Sequence, residues 1–380
     1  MYKEVLTLKK ALITSAVAAS LALTGCATGE DSAESGSESG SGGGTESGTE
    51  AASEAADAVS EGRAQCIEDA RAEASEGLDI NPEWQHIAAT VDFSEQAETP
   101  DLPTTVTDGT GTEAEVADAS KIISAGDGIS STLGALGLAD NIFAASEDST
   151  APEGICADEL FKFTKETGAE GLLAMDGTLF IGDNTKRHGS IAEQFRNAAT
   201  DAVVVDDQQS QVDKITATAE YVGLKEAGQK LADQLNEQLA EAKSIVEDAN
   251  IAGKRVIQVT ATGAGGQNSV AGSGTPGVEL VTSMGLASVG EESGLRGFSR
   301  EFSNEGILAA DPEIILIAES DLKKWGGEDG MWEAFPTLKD TSAGQEQRVI
   351  VMPDAQIRYT SPELGAGAVA LAEALAENNS

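Results

Sequence analysis

One internal repeat constrains this fold more than any other sequence feature. The stretch Ala169-Glu170-Gly171-Leu172-Leu173-Ala174-Met175-Asp176 returns as Asn304-Glu305-Gly306-Ile307-Leu308-Ala309-Ala310-Asp311, an offset of 135 residues. Each copy reads as a short amphipathic helix, an Asp turn, and then a run of apolar, partly β-branched residues. Such a run suits a strand of a parallel sheet, buried on both faces. An upstream echo pairs Leu136-Gly137-Leu138-Ala139 with Met284-Gly285-Leu286-Ala287. Each member follows an apolar strand pattern, 121–125 or 255–260, and a Gly-rich loop, 126–128 or 262–277. Both halves therefore read strand, glycine loop, helix, helix, strand. Strands alternating with helices predict an α/β fold with parallel sheets, and two copies predict two similar lobes.

Between the copies, residues 211–249 are rich in Ala, Leu, Glu, Gln and Lys, all good helix formers. Apolar positions Ile215, Ala219, Val222, Leu231, Leu235, Leu239, Ala242 and Val246 keep mostly helical spacing. This predicts one long helix over 209–249 joining lobe 1 (119–208) to lobe 2 (250–380), broken at most once near Gly223 or Gly228. A two-helix hairpin closing the first lobe is the alternative.

The N-terminus reads as an export signal. Lys3, Lys9 and Lys10 precede a mostly apolar run, 11–23, too short to span the ~30 Å core of a bilayer. The run ends Leu23-Thr24-Gly25-Cys26, which looks like a bacterial lipobox. Residues 1–25 are then a lipoprotein signal peptide and Cys26 the lipidation site. The protein is expected on the outer face of the cytoplasmic membrane, held by lipid only. Residues 26–62, rich in Ser, Gly, Glu and Ala, read as a disordered tether, and 63–118 as an N-terminal extension of the folded body. Cys66 and Cys156 remain, an even pair that reads as a disulfide in an oxidising compartment.

A formal charge of −41 repels polyphosphate, which excludes nucleic acid as a partner. With only 2 His, a His-rich metal cluster is impossible and His-based catalysis improbable on composition. No nucleophile elbow, phosphate loop or His-Glu-x-x-His is present, so no enzyme and no catalytic residues are expected.

Two α/β lobes joined by a helix, behind a lipobox, resemble the helical-hinge class of ABC-importer solute-binding proteins. The phrase 320–331, with its Trp325-Gly326-Gly327-Glu328-Asp329-Gly330, together with Pro336 and 348–352, is similar to the heme (hemin) and iron-chelate branch. The resemblance implies a lobe–lobe cleft that captures heme or an iron chelate as transported ligand, with no intrinsic cofactor. It also implies a monomer that meets an ABC permease dimer. Glu170 and Glu305 resemble the acidic pair that meets the permease subunits; an acid in a first helical turn also complements the helix dipole. Cleft loops are expected at the carboxyl ends of the strands: 126–131, 183–189, 263–277 and 320–327.

Within or near these loops, Lys186, Arg187 and His188, and Arg296 and Arg300, are candidate cations for ligand carboxylates, or else solvated charges. Trp325 is a candidate apolar wall or a packing residue. Tyr359 and His188 are candidate heme-iron ligands; Tyr359 equally fits an ordinary half-buried role. The resemblance sets the usual axial ligands at positions held here by Lys165 and Thr260, neither a good iron ligand. Alternatives are therefore a receptor for another chelate, such as a siderophore or cobalamin, and a ligand-free surface lipoprotein.

Overall fold

The computed structural model describes residues 46–93, 98–162, 168–263, 267–299 and 302–379. The signal segment, Cys26, Lys165 and Arg300 lie outside the described residues. The chain divides into two compact units, 1–66 and 67–380. In the first, described residues 46–66 belong to helix α1 (Glu46–Ser75). Residues 46–62 are thus helical, where the composition suggests a structureless tether. Ala and Glu are dense from Glu50 to Ala70, and both favour helix once Gly becomes sparse. Cys66 and Cys156 are disulfide-bonded, as expected of that pair.

Among the described residues, the second unit carries two large sheets, one in each lobe, and a two-stranded hairpin in the extension. In the first lobe, β4 (Ile122–Ala125), β5 (Ile142–Ser146), β6 (Glu159–Phe161), β7 (Leu179–Gly182) and β8 (Asp201–Val204) form a sheet of order β6-β5-β4-β7-β8. Every pairing in it is parallel. In the second lobe, β9 (Arg255–Gly263), β13 (Ile314–Ala318) and β14 (Val349–Met352) are the parallel core. Strand β10 (Gln267–Ala271) adds antiparallel to β9, and β11 (Ala287–Ser288) adds parallel. The internal repeat appears as matched geometry. Asp176 and Asp311 both take left-handed φ, 59° and 42°, where the repeated helix ends and its strand begins. Gly137 and Gly285, the other matched pair, take φ 77° and 84° after their helices. A short polar residue or Gly tolerates this conformation; others are strained by it.

Strand side chains alternate between two buried faces. On β7, Leu179 and Ile181 enter one apolar cluster and Phe180 another. On β13, Ile314 and Leu316 enter that same first cluster, while Ile315 and Ile317 face a third. The first cluster runs through both lobes by way of connector residues Ile215, Leu231, Leu235 and Val246. A shared core of this kind opposes large lobe movements, because close-packed interiors transmit rather than absorb strain.

The connector is broken once, into helices Gln211–Tyr221 and Lys225–Asp248. Gly223 turns the chain with φ 71°. Gly228 then lies so close to Ala219 that a Cβ would sit 2.3 Å from its methyl. The break is therefore a sharp reversal that packs the two helices on each other, and the second, 24 residues long, leads into β9.

The extension is woven into both lobes. Strand β1 (Gln85–His86) pairs parallel with β14. Trp84 packs edge-on to Trp332 with centroids 5.8 Å apart. The hairpin of β2 (Thr104–Thr107) and β3 (Glu113–Val116) lies on the first lobe, where buried Asp108 pairs with Arg196 at 3.2 Å.

Candidate ligand cleft

A cavity of about 290 Å³ opens where the two lobes and the connector meet. Asp127, Gly128 and Ile129 follow β4, and Asp183 follows β7. These strands lie side by side, and from β4 the chain goes to β5 on one side and later to β7 on the other. That switch point is where open α/β sheets receive ligands. Gly126 is required there: a Cβ would meet the Asp183 carboxylate at 2.5 Å. Lys214 and Thr218 come from the connector, and Pro276, Phe298, Arg358, Tyr359 and Thr360 from the second lobe. The lobes touch beside the cavity through a buried Ser131–Ser361 hydroxyl pair at 2.9 Å. Thr360 also donates to Gln211 at 2.6 Å.

The matching crevice of the second lobe is filled by its own side chains. Asp321, fully buried, accepts hydrogen bonds from the Thr260 hydroxyl (2.7 Å), the Ala261 N–H (2.9 Å) and Arg358 Nη1 (2.7 Å). Arg358 also donates to Thr260 at 2.9 Å and lies 3.3 Å from Asp354. Its guanidinium sits 5.7 Å from the Phe298 ring centroid, within cation–π reach. Burial pushes the Asp354 carboxyl up to about 6, against the pull of Arg358. Arg358 is thus a cleft residue whose charge already meets two carboxylates.

Tyr359 lines the cavity with its hydroxyl unbonded to other described residues. Burial, then the nearby Glu153, Asp127 and Glu363 carboxylates, hold its phenol well above the ordinary value. Phenolate formation is therefore opposed by the protein alone. Asp127 accepts from Ser149, at 2.6 Å, and from both the N–H and hydroxyl of Thr150.

Other sequence candidates fall elsewhere. The run Lys186-Arg187-His188 is split by the helix Thr185–Asn197, which Asn184 caps by accepting the Arg187 N–H. Lys186 and Arg187 face outward. His188 is buried, T-shaped against Phe180, and its Nδ1 accepts the Asp183 N–H at 3.1 Å. His188 and Arg187 border a more open hollow of about 750 Å³ that shares Asp127 and Asp183 with the cavity. Arg296 is exposed and away from the cavity lining. Trp325 packs edge-on to Phe335 and donates Nε1–H to Asn268 at 2.8 Å. Glu170 and Glu305 are exposed in the first turns of their helices. Among the described residues no group of three or more His, Cys, Asp or Glu is placed to hold a metal.

Lys214, Phe298 and Arg358 are among the cleft residues that sequence reasoning did not single out. The only signal for Lys214 was a polar position on the connector, next to the buried Ile215.

These features define a two-lobed solute-binding protein. The Periplasmic binding protein family matches residues 122–356, more than half of the chain, and the protein belongs to that family. The family is non-enzymatic. Among solved structures, the chain is similar to the heme binding protein HmuT, with 27% identity and a TM-score of 0.65, over 78% of this chain and 99% of that one. It is also similar to the apo form of the periplasmic heme-binding protein RhuT from Roseiflexus sp. RS-1, with 25% identity and a TM-score of 0.59, over 69% and 100%. HutB of Vibrio cholerae, a periplasmic heme binding protein at 21% identity and TM-score 0.56 over 68% and 99%, shares the fold. No curated protein matches the sequence.

Proposed function

We propose that this protein is the lipid-anchored solute-binding component of an ABC importer, capturing heme or an iron chelate outside the cytoplasmic membrane and passing it to the permease. The observation that carries the reading is similarity to HmuT across 99% of that chain, together with a cavity at the switch point of this chain's first-lobe sheet. The cavity and the adjoining hollow together offer room typical of small-molecule sites. Tyr359 is the phenol available to an iron centre, and ferric charge is what would draw out its proton. The lipid anchor rests on Cys26 and its preceding small residues.

A second reading is favoured by Thr260. Its hydroxyl is committed to Asp321 and Arg358, so it offers nothing to iron, and the cleft would then take an intact chelate by its ligand shell. Hemin titration followed in the Soret band separates the two. A shifted band saturating near one equivalent, and weakened in Tyr359→Phe, is expected for heme capture. An unshifted band moves the ligand to another chelate.

Delivery is assigned to Glu170 and Glu305, exposed and equivalent in the two lobes. Reversing both charges, Glu170→Lys with Glu305→Lys, is expected to abolish uptake in cells while leaving ligand affinity within twofold. A fall in affinity instead would show that the pair serves the cleft.

A further inference from the structure

The cleft contains two cations with different amounts of charge to spare. Arg358 is committed to Asp321 at 2.7 Å and Asp354 at 3.3 Å. Lys214 projects from the connector helix into the same cavity, half-buried, and no carboxylate of the described residues lies within ion-pair distance of its Nζ. Glu279, the nearest acid in effect, is spent on the Gln211 N–H and side-chain amide, at 3.0 and 3.1 Å. Burial lowers the lysine's affinity for its proton, against the pull of Glu279, Asp207 and Asp183. A half-buried ammonium without an ion-pair partner is costly, and a ligand anion placed on it would recover that cost.

We infer that Lys214 is the specificity-determining residue of the cleft, and that it selects ligands carrying a carboxylate. The inference rests on the cavity being the ligand site. The carboxylate can be a porphyrin side chain or an arm of an iron chelate; both present the same group to Nζ. Asp127 and Asp183, which line the same cavity, sharpen the selection, because a carboxylate displaced toward them is repelled.

The test uses the whole protein, with wild type, Lys214→Met and Lys214→Arg, and four probes. Hemin and ferric citrate carry carboxylates; hemin dimethyl ester and ferrioxamine do not. Lys214→Met is expected to weaken hemin or ferric citrate by roughly tenfold or more. It should leave the matching carboxylate-free probe within twofold, and Lys214→Arg should recover part of the loss. Thermal melting of each variant without ligand checks that the fold is intact. Wild type that binds hemin and its diester equally well overturns the inference and leaves heme capture standing. Binding of ferric citrate that depends on Lys214, with no binding of hemin, overturns heme capture and keeps the inference. Binding of ferrioxamine alone, or of no probe, overturns both.

Discussion

Lowering the pH from 8 to 5 is expected to raise the thermal midpoint of this protein. Two buried carboxyls set the direction. Burial pushes Glu153 up to about 7 from an ordinary 4.5, despite Arg71 Nη2 at 3.0 Å. Burial likewise pushes Asp354 up to about 6 from 3.8, despite Arg358. In both cases the folded state holds a proton that the unfolded chain has already released. Stability is then greatest below the unfolded values and falls as pH rises, from 4.5 to about 7 for Glu153 and from 3.8 to about 6 for Asp354. Each group contributes on the order of 3 kcal/mol across its full window. Asp118 and Asp311, held low by hydrogen bonds from Ser120 and Ser342, act in the opposite sense, but only below their ordinary 3.8. Relief of general repulsion among exposed acids also favours low pH, so the wild-type slope alone does not identify Glu153. Glu153→Gln does: it keeps an acceptor for Arg71 and should flatten the curve from about pH 4.5 to 7, leaving below pH 6 the slope that Asp354 supplies. A midpoint that rises with pH, or a Gln variant with an unchanged slope, would contradict the assignment.

The position of Glu153 gives this chemistry structural weight. Arg71, in the last turns of α1, bonds Glu153 of the first lobe and Glu363 of the second, at 3.0 and 3.2 Å. Nearby, Ser75 and His86 both reach Glu319, at the carboxyl end of β13. One segment of the extension thus ties side chains from both lobes.

Repetition made the two lobes legible. The matched Asp and Gly positions recur because each half needs the same left-handed turn, and such turns restrict residue choice sharply. The loops expected at the cleft follow for the same reason, and Asp127, Asp183 and Pro276 come from three of them. The extension was not legible. Its partners lie far away in sequence, as in Arg71 with Glu363 or β1 with β14, and neither partner carries a local signature. The run Lys186-Arg187-His188 misleads for a periodic reason. Once Asn184 caps a helix there, successive residues turn by about 100°, so His188 enters the core while its neighbours face water. Lys214 was hidden because helical spacing identifies the buried stripe and says little about which polar neighbour borders a cavity. Arg358 was passed over because its importance comes from Asp321, which a strand and a helix turn deliver from 37 residues upstream.

Replacing Arg358 should be the most damaging single change in the second lobe. Arg358→Ala removes the guanidinium that pairs with Asp321 at 2.7 Å and with Asp354 at 3.3 Å. Asp321 retains Thr260 and the Ala261 N–H, and Asp354 retains Ser320, so both carboxylates stay buried and hydrogen-bonded but lose the guanidinium charge. Breaking a buried pair in this way costs about 3–5 kcal/mol. The loss should be read in denaturant midpoints at pH 7.5. It should shrink at pH 5, where Asp354, no longer held down by the guanidinium, is protonated. Arg358→Lys keeps the charge but cannot reach Thr260, Asp321 and Asp354 together, since an ammonium lacks the planar fork, so only partial recovery is expected. Arg358→Ala with Asp321→Asn should be more stable than Arg358→Ala alone, because the amide removes a buried charge that the guanidinium no longer offsets while keeping an acceptor for Thr260. If the double variant is instead the weaker of the two, Asp321 is held by its neutral hydrogen bonds, and the cost of losing Arg358 lies in packing against Phe298 rather than in charge.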